Sequence, residues 1–208
     1  MRKKRPLERT ESTMRDTRLV VIASEDRYAV KQYFEFFRST RIQFRVLETT
    51  DGCSSPQDVM DRLDEYLEEY DIGEGDQFWL VCDTDHWIEP SHIQNLTEIN
   101  RRCRQMGIGF SLNNPCFDLW LLLHFAEFPS EDKLTCQEIG ELMRSELGGF
   151  DKTKIYNLPI DNAKVAQAIE SSKANYTGAE IPTQLQTSIH LIIEDLIERK
   201  MISIESGA

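Results

Sequence analysis

Apolar residues along this chain fall into short unbroken runs, separated by longer stretches in which they recur every three or four positions. Unbroken runs suit strands buried on both faces, and the wider spacing suits helices with one buried stripe. Leu19–Ala23 is the first such run, rich in β-branched residues and bounded by charge, and predicts a strand. From Arg27 to about Arg38, the positions of Tyr28, Val30, Tyr33, Phe34 and Phe37 predict an amphipathic helix, which leaves Glu25 in a strand-to-helix turn. Ile42–Leu47 predicts a second strand, followed by the polar turn Thr49-Thr50-Asp51-Gly52. Ser55 reads as an N-cap and Pro56 as the first residue of a second helix, with Val59, Met60, Leu63, Tyr66 and Leu67 on its buried face. Gln77–Cys82 is the third strand, a helix from about Glu89 to Met106 follows, and Ile108–Leu112 is the fourth.

Strand and helix alternating at this rhythm predict an α/β fold, a parallel sheet of about four strands flanked by helices. Beyond it, Asn114 reads as the N-cap and Pro115 as a first-turn residue of a helix whose apolar body is 119–125, with Asp118 in its first or second turn. Segments 135–147, 160–174 and 184–199 predict helices of a C-terminal extension. Gly148-Gly149 and Lys152-Thr153-Lys154 predict a mobile basic loop between the first two of them. The expected organisation is a flexible basic leader over 1–18, an α/β core over 19–128 and a helical extension over 129–208 packed on that core.

Composition narrows the class. A chain of 208 residues, 40% hydrophobic and 29% charged, can bury one sizeable core, and none of its apolar runs approaches the length of a membrane span. The basic start Met1-Arg2-Lys3-Lys4-Arg5 is followed by polar residues up to Asp16, where a signal peptide needs an apolar segment, so a cytoplasmic location is expected. Five cysteines (Cys53, Cys82, Cys103, Cys116, Cys136) are odd in number and widely spaced, and read as reduced, mostly buried thiols. The net charge of −12 argues against sequence-independent nucleic-acid binding by the whole surface. Residues 1–18 carry +4, leaving −16 on the remainder; the leader is either a solvated segment or a phosphate contact.

The third strand ends abruptly at Asp83-Thr84-Asp85. Open α/β sheets bind ligands beyond the carboxyl ends of their strands, so Glu25 after the first strand can face the same crevice as this pair. Three converging carboxylates repel one another and take up protons unless a cation compensates them, and Mg²⁺ or Mn²⁺ suits an all-oxygen site. The chemistry implied is phosphoryl transfer. Taken alone, a D-x-D pair equally describes solvated loop aspartates, one of them capping the next helix. His86 reads either as a group assisting a leaving oxygen or as an exposed or capping histidine, and His124 either as a site residue or as a satisfied core histidine. Trp79 and Trp120 have apolar neighbours and read as core, while Trp87 is open to base stacking. Lys152 and Lys154 either close over a phosphate backbone or sit on a solvated loop. Asn113 and Asn114 are candidates to fix the crevice by hydrogen bonding.

Val21-Ile22-Ala23-Ser24-Glu25, then Tyr33-Phe34, then Trp79-Leu80-Val81-Cys82-Asp83-Thr84-Asp85, then Asn114-Pro115-Cys116-Phe117-Asp118-Leu119-Trp120-Leu121-Leu122-Leu123-His124 occur in this order. That succession resembles the RloB-like proteins over roughly residues 19–200. The family is assigned to the Toprim superfamily, so the resemblance implies a Toprim-like, Rossmann-like fold. It also implies that Glu25 is the Toprim glutamate, that Asp83 and Asp85 are its D-x-D metal ligands, and that Asp118 replaces the usual glutamate. The chain departs from the family where Ser24-Glu25-Asp26-Arg27 stands in place of a C-E-G-E turn, and Asp118 is one methylene shorter than glutamate.

By the same resemblance the expected protein is a Mg²⁺- or Mn²⁺-dependent nuclease cutting DNA or RNA in an anti-phage defence system. An ATPase encoded by a neighbouring gene is a candidate partner and a homo-oligomer a further one. The alternative is a non-catalytic sensor or partner subunit of such an ATPase. The expected site comprises Glu25, Asp83, Asp85 and Asp118 as metal ligands and His86 among the catalytic groups. Asn114, His124, Lys152 and Lys154 lie on the substrate side.

Overall fold

A computed structural model describes residues 17–49, 54–85 and 90–204. Strands β1 (Arg18–Ser24), β2 (Ile42–Leu47), β3 (Gln77–Asp83) and β4 (Gly109–Asn114) are parallel, and β5 (Gln186–Thr187) lies antiparallel on β4. Their order is β2-β1-β3-β4-β5, a mostly parallel, Rossmann-like sheet. The chain therefore leaves β1 towards one edge and returns to β3 on the other side, which puts the topological switch point between the tips of β1 and β3.

The unbroken apolar run of β1 divides between two layers. Val20 and Ile22 join the core beneath α1 (Ala29–Glu35), α4 (Asp118–Leu122), α5 (Cys136–Leu147), α6 (Asn162–Ala174) and α7 (Ile189–Glu198). Leu19, Val21 and Ala23 join the core beneath α2 (Pro56–Glu69) and α3 (Pro90–Met106). Period-two alternation thus fills both faces, as a central parallel strand requires. The first core takes in residues from β1 through to α7, so the C-terminal helices share it with the sheet.

Local chemistry sets the helix starts. Ser55 and Asp58 form a reciprocal capping box at α2, and Thr135 and Glu138 form another at α5. Each is a type of cap whose loss costs about 1 kcal/mol. At α1, Asp26 Oδ1 accepts the backbone N–H groups of Tyr28 (2.7 Å), Ala29 and Val30 (3.4 Å), so the helix begins at Ala29 and not at Arg27. Its end tightens through Phe36, Phe37 and Arg38, whose N–H groups bond the third carbonyl back.

Four expectations need correcting. Asn114 does not cap α4: it is the last residue of β4, joined to Pro115 by a cis peptide bond, and Phe117 precedes the helix. The segment expected as a helix over 184–199 is helical only from Ile189, because Ser188 bonds both the N–H (2.8 Å) and the C=O (3.0 Å) of Leu112 and lays Gln186–Thr187 along β4. The loop around Lys152 is anchored: Ile155 is fully buried, and Gln32 on α1 donates to Thr153 O (2.8 Å) and accepts from the Tyr156 N–H (3.3 Å). Cys116 and Cys136 form a disulfide, their Cα atoms 5.9 Å apart, because α5 folds back against the β4–α4 turn. Cys82 and Cys103 are free and buried, as expected. Residues 1–16, Thr50–Cys53 and His86–Glu89 lie outside the described residues, and with them the leader, the polar turn, His86 and Trp87. Among the described residues no helix is long and apolar enough to cross a membrane.

Candidate metal centre

Register builds the site. Asp83 of β3 pairs with Asn113 of β4, which pairs with Thr187 of β5, so the three lie on one row of the sheet. Thr187 Oγ1 donates to Asn113 Oδ1 (2.6 Å), and Asn113 Nδ2 donates to Asp83 Oδ1 (3.0 Å). The threonine hydroxyl thereby decides which way the buried amide faces. The Phe117 N–H, leading into α4, also donates to the Asp83 carboxylate. One strand away, Ser24 pairs with Val81, which brings Glu25 level with Cys82, and the Glu25 carboxylate accepts the Asp83 backbone N–H.

The turn carrying Asp85 is held by the connection after β4. The Thr84 N–H is shared between Asn113 O (2.9 Å) and Pro115 O (3.0 Å), and the Asp85 N–H donates to Pro115 O (3.1 Å). Thr84 Oγ1 donates to Asn114 Oδ1 (2.8 Å), while Asn114 Nδ2 donates to Gln184 O (2.8 Å). Asn114 is therefore a crosslink between the D-x-D turn and the segment before β5, and its side chain is used up by the protein. Cys136 Sγ lies 3.0 Å from Asp85 Oδ2. In the disulfide that sulfur carries no proton, so this is a contact and not a hydrogen bond.

Four aspartates act on one another across this crevice. Burial pushes the Asp83 carboxyl well above the usual carboxylate range; the Asn113 amide opposes the rise, and the charges of Asp26 and Asp85 add to it. Burial likewise pushes Asp118 up to about 6, opposed by the Lys152 ammonium and reinforced by Asp26 and Asp85. The Lys152 ammonium is thus near enough to act on Asp118, whereas Lys154 is turned to Asp151 in an exposed ion pair (3.3 Å). Among the described residues no three His, Cys, Asp or Glu side chains stand in a metal-ligating group.

His124 is not on the substrate side. It is fully buried, its Nδ1 faces Trp120 O (2.9 Å) and its Nε2 faces the Tyr33 hydroxyl (3.2 Å). Burial holds its pKa down, at about 4, so it is a neutral core histidine. With Tyr33, Phe117 and Trp120 it forms an edge-on aromatic cluster that fastens α1 to α4 behind the carboxylates.

Two contributors escaped sequence reasoning. Asp26 combines the cap of α1 with the field at Asp83 and Asp118; an Asp shortly before a helix is its only signal, and that signal describes the cap alone. Thr187 gave none, because the β4–β5 register that brings it to Asn113 leaves no pattern in two residues.

Residues 20–196 match the family model described as RloB-like protein. No curated protein and no solved structure gave a match. The matched span runs from β1 to α7 and includes every carboxylate of this crevice, and the chain belongs to the RloB-like protein family.

Proposed function

We propose that the chain is a Mg²⁺- or Mn²⁺-dependent phosphodiesterase of nucleic acid, with a Toprim-type site, serving anti-phage defence. The observation that carries this reading is the placing of Glu25 and Asp83 at the switch point of the sheet, where the Glu25 carboxylate reaches the Asp83 N–H and the charges of Asp26 and Asp85 act on both Asp83 and Asp118. Buried carboxylates raised by desolvation and mutual repulsion are what a divalent cation relieves. Glu25, Asp83 and Asp85 offer only oxygen donors, which fits a hard cation, and these three residues would hold it, with Asp118 as a candidate ligand for a second ion. When bound, the ion polarises a phosphate and lowers the pKa of an attacking water.

The remaining work falls to the chain's own groups. Asn113 and the Phe117 N–H hold Asp83 in one orientation, and Lys152 offsets charge on the phosphate. The water oxygen bonds to phosphorus as the bond from phosphorus to the leaving oxygen breaks. Asp118 would accept the water's proton, and the leaving oxygen would take its proton from solvent.

A second reading, a non-catalytic sensor or partner subunit of a defence ATPase, is favoured by the partners that Glu25 and Asp83 already have in the Asp83 N–H and the Asn113 amide. Calorimetric titration with Mn²⁺, alongside incubation with a panel of DNA and RNA substrates, separates the two. Binding at millimolar or tighter concentration together with metal-dependent cleavage supports the phosphodiesterase. Failure of both leaves the sensor reading, and cleavage undiminished in a Glu25→Gln, Asp83→Asn double variant would show that the site is misassigned.

A further inference from the structure

A cavity of about 610 Å³ opens beside Asp85. That lies inside the range of roughly 300–1,000 Å³ common to small-molecule sites. Its lining is chiefly aliphatic, with Leu96 from α3, Pro115 from the β4–α4 turn, Leu134 before α5, and Ile181 and Leu185 before β5. Thr84 and Asp85 form part of its wall, so the cavity adjoins the carboxylate crevice at Asp85.

The walls are built by hydrogen bonds and not by loose contact. Asn114 Nδ2 reaches Gln184 O (2.8 Å) and Pro182 O (3.4 Å), the Leu185 N–H reaches Asp132 O (3.2 Å), and the Thr135 capping box fixes the start of α5. Lys133 also lines the cavity, is exposed, and has no ion-pair partner among the described residues.

We propose that this cavity receives the base of one unpaired nucleotide whose adjoining phosphate lies at Asp83 and Asp85, which makes the substrate single-stranded or locally unpaired nucleic acid. The inference rests on the phosphodiesterase reading for the position of the phosphate. A group one sugar away from that phosphate is a base, flat and largely apolar on its faces, and aliphatic side chains sandwich such faces without selecting a sequence. A base stacked and paired inside a duplex cannot enter a cavity walled on several sides; an unstacked one can. Lys133 at the rim then faces the backbone of the next nucleotide.

The test uses the full chain with Mn²⁺ and two probes, adenosine 5′-monophosphate and ribose 5-phosphate, which differ only in the base. The nucleotide should bind at least tenfold more tightly. Leu134→Trp, which fills the cavity, and Thr183→Trp, at an exposed lining position where folding is not at stake, should each abolish that advantage while leaving ribose 5-phosphate and Mn²⁺ binding unchanged. Equal binding of the two probes to the wild type, or an advantage that survives in both variants, overturns the proposal. Should the nucleotide keep its advantage while neither Mn²⁺ binding nor cleavage is found, the base site stands and the phosphodiesterase reading falls. Should metal-dependent cleavage proceed without discrimination between the probes, the reverse holds.

Discussion

Asn113 holds Asp83 from the neighbouring strand, its Nδ2 donating to Asp83 Oδ1 across 3.0 Å, and it can do so in only one amide orientation because Thr187 donates to its Oδ1. This donor favours the ionised form of a carboxylate whose ionisation burial otherwise disfavours. Asn113→Ala therefore raises Asp83 further and weakens Mn²⁺ binding by roughly tenfold, since a hydrogen bond to a charged group contributes about 1.5–3 kcal/mol. Thr187→Val leaves the amide in place but free to turn, and its loss should be smaller. Calorimetry of both variants checks the order; Mn²⁺ affinity equal to wild type in Asn113→Ala would separate this residue from the site.

Asp118 gives the metal-free protein a recognisable pH dependence. Its folded pKa, about 6, lies above its ordinary value of 3.8, so the folded state holds the extra proton between these limits. Stability gained from that proton is full below about pH 4 and is lost as pH rises through 6, at a cost reaching about 3 kcal/mol by pH 7. His124 has the opposite sign: its pKa, held at about 4, makes stability fall as pH drops from 6.5 towards 4. The two slopes oppose each other in the wild type. Denaturant midpoints of Asp118→Asn measured from pH 4 to pH 7 should therefore show the variant gaining on the wild type as pH rises, by up to about 3 kcal/mol. Parallel curves for the two proteins would place Asp118 in ordinary solvent.

Gly109 stands opposite Trp79 in the β3–β4 ladder, and a Cβ added there would overlap the indole ring. The absence of a side chain at Gly109 is what lets the tryptophan lie flat on β4. Gly109→Ala should cost about 1–3 kcal/mol by overpacking. For a chain of this size that lowers the melting temperature by roughly 2–4 °C per kcal/mol. Mn²⁺ affinity should be unchanged, because Trp79 lies four residues, two repeats of the pleat, away from Asp83. An unaltered melting temperature would mean that the ring has room to move.

β1 and β3 were legible as nearly unbroken apolar runs and β2 as an alternation of apolar with polar residues, and Ser55-Pro56 announced α2 through its cap. β5 was not, since two residues carry no period and the partner that shapes them, Leu112, is 76 positions from Ser188. Asn114 misled for a related reason: Asn before Pro ahead of an apolar run has the composition of a helix start, while its real partners, Thr84 and Gln184, are distant in sequence. The carboxylates could be grouped at the sheet's edge from strand tips alone, but the link from Thr187 through Asn113 to Asp83 depends on register, which composition does not encode. Cys116 and Cys136 were read as separate thiols because nothing in their spacing shows that α5 returns to the β4–α4 turn.

Asp83→Asn separates fold from chemistry. In the metal-free protein the substitution removes a carboxyl raised by burial and by two neighbouring aspartates while keeping an oxygen to accept from Asn113 and the Phe117 N–H. The folded state should thus be as stable as wild type or more so, since the amide carries no charge for burial and the neighbouring aspartates to oppose. Added Mn²⁺ should raise the melting temperature of the wild type, since a ligand that binds only the folded state stabilises it by mass action, and should leave the variant unmoved. Cleavage, where the wild type shows it, should fall by at least a hundredfold, as expected when a principal ligand of a catalytic cation is lost. A variant that melts lower without metal would assign Asp83 a structural role, and one that keeps the Mn²⁺-induced shift would move the cation away from the tip of β3.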